Sequence, residues 1–174
     1  MKTKKEIREK YLNIRRKVNE SEKKDKIITE KVINNLHVKD SEIILIYVSY
    51  NNEVNTFDLI NYFLKSKKVA VPKIEKDTMK FYYINGLDDL RKSKYGILEP
   101  ITRIETKDFT KAICITPGVC FSKDRYRIGY GKGYNDRFFS NHLVYSIGLC
   151  YKECLIDNIP TDEYDKQVDE IITD

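Results

Sequence analysis

The run EIILIYVSY, Glu42 to Tyr50, decides the fold class of this chain. It is short, rich in β-formers and apolar at both parities, so neither face of the segment is left for water. A strand of that kind belongs inside a parallel sheet covered by helices on both sides. Toward the N-terminus, Ile7, Tyr11, Ile14 and Val18 recur at four- and three-residue steps, which predicts a helix over Lys4 to Val18. Ser21 is placed to cap a second helix running towards Leu36, with Ile27, Ile28, Val32 and Leu36 on its inner face.

Toward the C-terminus the pattern alternates. A short helix is predicted at Phe57 to Leu64, a strand at Val69 to Val71 stopped by Pro72, and a strand at Met79 to Ile84. Further strands are predicted at Ala112 to Thr116, Val144 to Cys150 and Val168 to Ile172, with a helix beginning near Tyr134. Strands alternating with helices make an α/β fold with a mainly parallel sheet flanked by helices. No repeat, low-complexity tract or linker interrupts residues 1–174, so the expectation is a single domain. A chain of this length buries roughly 70% of its unfolded surface around one core.

Composition narrows the function classes. With 41% hydrophobic and 34% charged residues the chain reads as an ordinary globular protein, and no apolar run approaches a membrane span. The start, MKTKKEIREKY, lacks the apolar stretch of a signal peptide, so a cytoplasmic protein is expected. Cys114, Cys120, Cys150 and Cys154 form no CxxC pair and read as reduced structural thiols. His37 and His142 have no partner at metal-ligand spacing and read as helix-end or surface residues. The net charge of +5 favours an anionic partner, but the basic residues are scattered and no nucleic-acid module is recognisable.

The chemistry concentrates in TPGVCFSKDRYRIGYGKGYNDRFF, Thr116 to Phe139. Gly129, Gly131 and Gly133 follow a predicted strand and open into a helix, a placement that turns backbone N–H groups around an anion. Arg125, Arg127, Lys132 and Arg137 surround them, offering a polyphosphate side-chain cations as well. Neither common phosphate loop fits: Lys132 precedes Gly133 rather than Ser or Thr, and Tyr134 takes the last glycine position of GxGxxG. A bare glycine cluster is equally a tight surface turn. On the residues alone, a phosphate-handling isomerase or transferase and a basic nucleotide- or RNA-binding module also stay open.

The stretch RIGYGKGYND, Arg127 to Asp136, closely resembles the RxGxGxGYYD motif of the 5-formyltetrahydrofolate cyclo-ligase family, and the preceding PGVCF resembles that family's PGxxF. Thinner matches follow in order across the chain: KKEIR near the start, YVSYNNEVNT at Tyr47 to Thr56, GILEP at Gly96 to Pro100, and DKQVDEIIT near the end. The resemblance implies a fold like that of ribose-5-phosphate isomerase and CoA-transferase domains. It also implies closure of 5-formyltetrahydrofolate to 5,10-methenyltetrahydrofolate by a monomer that uses ATP and Mg2+.

Site roles come from the same resemblance. ATP is assigned to Lys4, Lys5, Glu6, Ile7 and Arg8, and to Arg127, Ile128, Gly129, Tyr130, Gly131, Lys132, Gly133, Tyr134 and Asn135. Lys4 and Arg8 stand one helical turn apart and so share a face, a spacing that also occurs on plain solvated helices. The folate is assigned to Val48 and Glu53 together with Tyr130, Gly131, Lys132, Gly133 and Tyr134, and Mg2+ to Asp136 and Asp165. Asp162 and Asp169 lie close to Asp165 in sequence and compete for that role. Lys132 and Arg127 are the catalytic cations, whose removal is expected to cost activity and leave the fold intact. Asn135 departs from the motif, where a second Tyr is usual, and Ser122 stands where Asp is frequent.

Overall fold

The computed structural model describes residues 1–174. Three helices come first: α1 Lys4–Arg16, α2 Ser21–Ile33 and α3 Leu36–Asp40. Then follow β1 Ile43–Ile46, α4 Phe57–Leu64, β2 Lys68–Glu75, β3 Thr78–Ile84, β4 Leu90–Lys92 and β5 Leu98–Pro100. The second half contains β6 Ala112–Thr116, β7 Cys120–Ser122, β8 Arg127–Ile128, α5 Tyr134–Asn141, β9 Tyr145–Leu149, β10 Leu155–Ile156 and β11 Glu170–Ile172.

The main sheet has six strands in the order β11-β9-β6-β1-β2-β3, parallel except for the antiparallel β2–β3 pair. As the Glu42–Tyr50 run requires, β1 is central and covered on both faces. Ile44 and Ile46 pack with α2, α3 and α4 through Val32, Val38, Leu59 and Phe63. Leu45 faces the other way, into a cluster with Phe81, Cys114 and Phe138 of α5. Each fully buried Ile or Leu contributes about 1.5–3 kcal/mol of apolar burial.

Three local expectations are corrected. Pro72 does not stop β2, which runs on to Glu75 against β3. Pairing with β1 ends at Leu45↔Ala70, so no β1 acceptor faces the position where Pro72 lacks its N–H. The second helix ends at Ile33 rather than Leu36, because the Asn35 side chain accepts from Val38 N and starts α3. Ser21 is the first residue of α2, behind Glu20 in the left-handed region, and makes no capping hydrogen bond. A capping box does start α1: Glu6 N donates to Thr3 Oγ1, and Thr3 N to Glu6 Oε2.

All four cysteines are free and buried. His37 stacks on Tyr145, and His142 lies at the C-terminus of α5 against Phe138. No helix is long and apolar enough to cross a membrane.

Candidate active site

From β1 the chain passes to β2 on one side, and β6 later returns to the other side of β1. The crevice beyond the carboxyl ends of β1 and β6 is therefore the topological switch point, where open α/β sheets gather ligands. Val48 follows β1 there, Pro117 and Gly118 follow β6, and Cys150 and Tyr151 follow β9. Helix α1 lies against these ends, with Arg15 Nη1 donating to Gly118 O at 3.4 Å.

The glycine loop leaves β8 and enters α5. Gly131 (φ +98°) and Gly133 (φ +71°) occupy the left-handed region that side chains disfavour. The backbone N–H groups of Gly129 to Gly133 find no acceptor within the protein, and α5 has no side-chain cap. This run of unpaired donors leads into a helix N-terminus, which adds partial positive charge beside it. Arg8 Nε pins the loop by donating to Gly129 O at 2.7 Å. On the far side Arg137 donates to Lys132 O at 2.8 Å and to Asp77 O at 3.1 Å while lying over the Tyr134 ring.

A cleft of about 670 Å³ opens over the loop, bordered by Lys4 and Arg8 from α1 and by Lys132, Asp136, Asp162 and Asp165. Lys132 is exposed and makes no ion pair, so its ammonium is free for a ligand. Arg127 is instead buried, with Nη2 donating to Asp136 Oδ1 at 3.2 Å and Nε left without a partner. Burial pulls the Arg127 pKa below its usual value, and Asp136 works against that pull. Lys4 Nζ bridges Asp162 at 3.0 Å and Asp165 at 2.5 Å. Burial opposes the Lys4 charge, but the hydrogen bonds to Asp165 and Asp162 outweigh it and raise the pKa.

Beside the loop, Tyr130 links the cleft to Glu53. Its hydroxyl donates to Glu53 Oε2 at 3.1 Å, and Glu53 Oε1 accepts from Tyr50 N at 2.7 Å. Burial raises the Glu53 pKa, only partly offset by the Tyr50 N–H, by Arg15 and by Tyr130. Glu53 also borders a polar hollow of about 280 Å³ with Ser49, Asn52 and Asn55.

The 5-formyltetrahydrofolate cyclo-ligase family model matches residues 1–174, the whole length of the chain. The chain belongs to this family. A probable 5-formyltetrahydrofolate cyclo-ligase of Caenorhabditis elegans is 30% identical over 170 residues, covering 88% of this chain and 82% of its own. The mouse 5-formyltetrahydrofolate cyclo-ligase is 27% identical, covering 84% and 80%. Among solved structures, the 5,10-methenyltetrahydrofolate synthetase of Aquifex aeolicus superposes with a TM-score of 0.87 at 27% identity, over 98% of this chain and 89% of that one. The corresponding enzyme of Mycoplasma pneumoniae gives 0.80 at 26% identity, over 98% of both chains.

Set against the family assignments, the fold brings most of the expected residues to one place. Lys4, Arg8, Asp136, Asp165 and every residue from Arg127 to Asn135 line the cleft. Lys5, Glu6 and Ile7 do not: Lys5 is exposed, Glu6 serves the capping box, and Ile7 is 7% exposed in the core. Val48 is buried in the core beneath the loop that carries Glu53. Arg125 turns away from the glycines and donates to Asp169 O. Asp169 is likewise elsewhere, accepting from Ser146 N, whereas Asp162 joins Asp165 at the cleft.

Sequence reading missed Arg15. It lies seven residues beyond Arg8 and eleven beyond Lys4, so the three share one helical face, and that spacing was the available signal.

Proposed function

We propose that this cleft binds ATP against the glycine loop, with 5-formyltetrahydrofolate beside it at Glu53. There the chain closes the folate to 5,10-methenyltetrahydrofolate, releasing ADP and phosphate. The observation that carries the reading is the run of unpaired N–H groups from Gly129 to Gly133, ending in the α5 N-terminus beside the unpaired Lys132. Such an array suits a polyphosphate and has no use in a plain surface turn.

The formyl group on N5 is an amide whose oxygen leaves poorly. Transfer of the γ-phosphoryl group to that oxygen turns it into a phosphate leaving group. N10 then attacks the formyl carbon, the C–O bond breaks, phosphate departs with both electrons, and N10 loses its proton. This chemistry needs positioning and charge stabilisation rather than a protein nucleophile. Lys132 meets the developing charge on the transferring group. Arg127 is too buried to move far, so it holds Asp136 and the base of the loop. Lys4 and Arg8 close on the phosphates from α1. Glu53 accepts N–H hydrogens of the pterin, with Val48 forming the apolar floor and Tyr130 or Tyr134 offering a ring face.

The residues present fit Mg2+. No cluster of three or more His, Cys, Asp or Glu side chains forms a cage. Mg2+ in phosphate sites takes one or two carboxylates and completes its shell with phosphate oxygens and water. Asp136 Oδ1 serves Arg127 and the Lys166 N–H, and Asp165 Oδ2 serves Lys4 and the Asp162 N–H, which leaves one carboxylate oxygen of each unbonded. Those two aspartates would hold the ion, which supplies neutralisation of phosphate charge. A folate and ATP site needs neither membrane nor nucleic acid, and the reading places the chain in the cytoplasm as a monomer.

The test mixes pure protein with 5-formyltetrahydrofolate, ATP and Mg2+ and follows the near-ultraviolet absorbance of the methenyl product. ADP release that requires the folate supports the reading. ATP hydrolysis indifferent to the folate, or no methenyl product, rejects it.

A further inference from the structure

Arg15 is an odd occupant of its place. It sits on the inner side of α1, 6% exposed, where a leucine would bury at no electrostatic cost. No carboxylate pairs with it directly. Its Nη2 donates to Tyr130 OH at 2.9 Å, its Nη1 reaches Gly118 O at 3.4 Å, and Nε has no partner. Tyr130 passes the contact on, donating to Glu53 Oε2 at 3.1 Å. The cavity beside Arg15, Glu53 and Gly118 is only about 10 Å³, room for at most one water and none for a substrate group. Arg15 also borders the hollow of about 280 Å³ beside Glu53, but its one hydrogen bond to another side chain is to Tyr130, which carries the contact on to that carboxylate.

We propose that Arg15 is a positioning residue for the folate: through the Tyr130 hydroxyl it fixes the Glu53 carboxylate towards the pterin. The inference rests on the assignment of Glu53 to folate. It also explains why Tyr130 belongs to the phosphate loop, since α1 then grips that loop twice, at Gly129 O by Arg8 and at Tyr130 OH by Arg15.

Several charged groups face Glu53. Arg15 and Arg16 come from α1, and Glu22 and Asp25 from α2. Tyr47 stands at the end of β1, while Tyr151, Cys150 and Cys154 follow β9. Of the side chains, only Arg15 and Tyr130 favour the ionised form of Glu53, against the burial that opposes it.

The experiment compares Arg15→Met, Arg15→Lys and Tyr130→Phe in steady-state kinetics across pH. Arg15→Met is expected to raise the folate KM about tenfold, the equivalent of one charge-assisted hydrogen bond, with the ATP KM within about twofold. The acid limb of its kcat/KM profile for folate should move up by about one pH unit, because an opposite charge near the carboxylate is gone. Arg15→Lys, which keeps the charge, should restore most of that limb. Tyr130→Phe keeps the ring and cuts the relay, so it should show the same folate-selective rise, and the Arg15→Met/Tyr130→Phe pair should be no worse than either alone.

Equal losses towards ATP and folate with an unmoved acid limb would mean a purely structural Arg15 and overturn the proposal. If Arg15→Met does not fold, wild-type folate kinetics in Tyr130→Phe overturn it instead. Glu53→Gln separates the two layers. A normal folate KM in that variant rejects the Glu53 assignment and this inference together, whereas a raised KM beside a normal Arg15→Met rejects this inference alone.

Discussion

Two cations flank the glycines, and the structure predicts that removing them has different consequences. Lys132 is exposed and bonds to nothing in the protein through its side chain, so Lys132→Ala should change stability by no more than about 0.5 kcal/mol. For a chain of 174 residues that is a Tm shift of about 1–2 °C. Its turnover should nonetheless fall about 10²–10³-fold, the usual cost of one preorganised donor at a developing charge. Arg127 differs because its side chain is 5% exposed against Asp136 at 23%. Arg127→Ala strips a half-buried carboxylate of its cation and should cost about 3–5 kcal/mol. The accompanying fall in Tm is about 10 °C. On this geometry the fold is expected to stay intact without Lys132 and to be weakened without Arg127, where sequence alone led to the same expectation for both. Thermal unfolding with the methenyl absorbance assay reads both quantities on the same samples. Near-wild-type turnover in Lys132→Ala, or an Arg127→Ala protein as stable as the parent, would refute the reasoning.

Other expectations follow from the same geometry. Asp136→Asn removes the charge that balances Arg127 and one proposed Mg2+ ligand. It should lose about 3 kcal/mol in urea unfolding and need about tenfold more Mg2+ for half-maximal activity; an unchanged metal titration would reject the ligand role. Gly131→Ala and Gly133→Ala place a side chain at φ +98° and +71°. Each should cost about 1–2 kcal/mol and weaken ATP more than folate, read by denaturation and by the two KM values. Glu53 has a raised pKa, so folate kcat/KM should fall as pH drops through a midpoint above that of an exposed glutamate. Its effect on stability has the opposite sign, being lost as pH rises from the unfolded towards the folded pKa, so Glu53→Gln should flatten both trends. The buried thiols, pushed up to about 12 for Cys114 and Cys120 and about 11 for Cys154, should resist a thiol reagent in the folded protein and react on unfolding.

The sheet was legible wherever burial left a pattern in the chain. β1 and β6 are apolar at both parities because both of their faces are buried, and α1 and α4 show their stripes at helical spacing. The strands β4, β5, β7, β8 and β10 span two or three residues each, too few to carry a period. The main misreading of a strand, the stop at Pro72, applied a rule about interior pairing where β1 had already ended.

The site divides along the same line. Local sequence announces the loop, because glycines at positive φ and cations beside them are chemical necessities written within ten residues. It does not announce that the loop faces α1, or that Lys4 meets Asp165 across 161 positions, since these depend on the C-terminal segment folding back over the first helix. Nor does it separate Lys132 from Arg127. The difference arises because β8 pairs with β7 and carries Arg127 inward as a strand residue, while Lys132 rides on a turn that glycines hold clear of the core. One cation becomes a buttress for Asp136 and the other stays free to meet a phosphate, so the roles assigned to them follow from pairing and burial rather than from residue type.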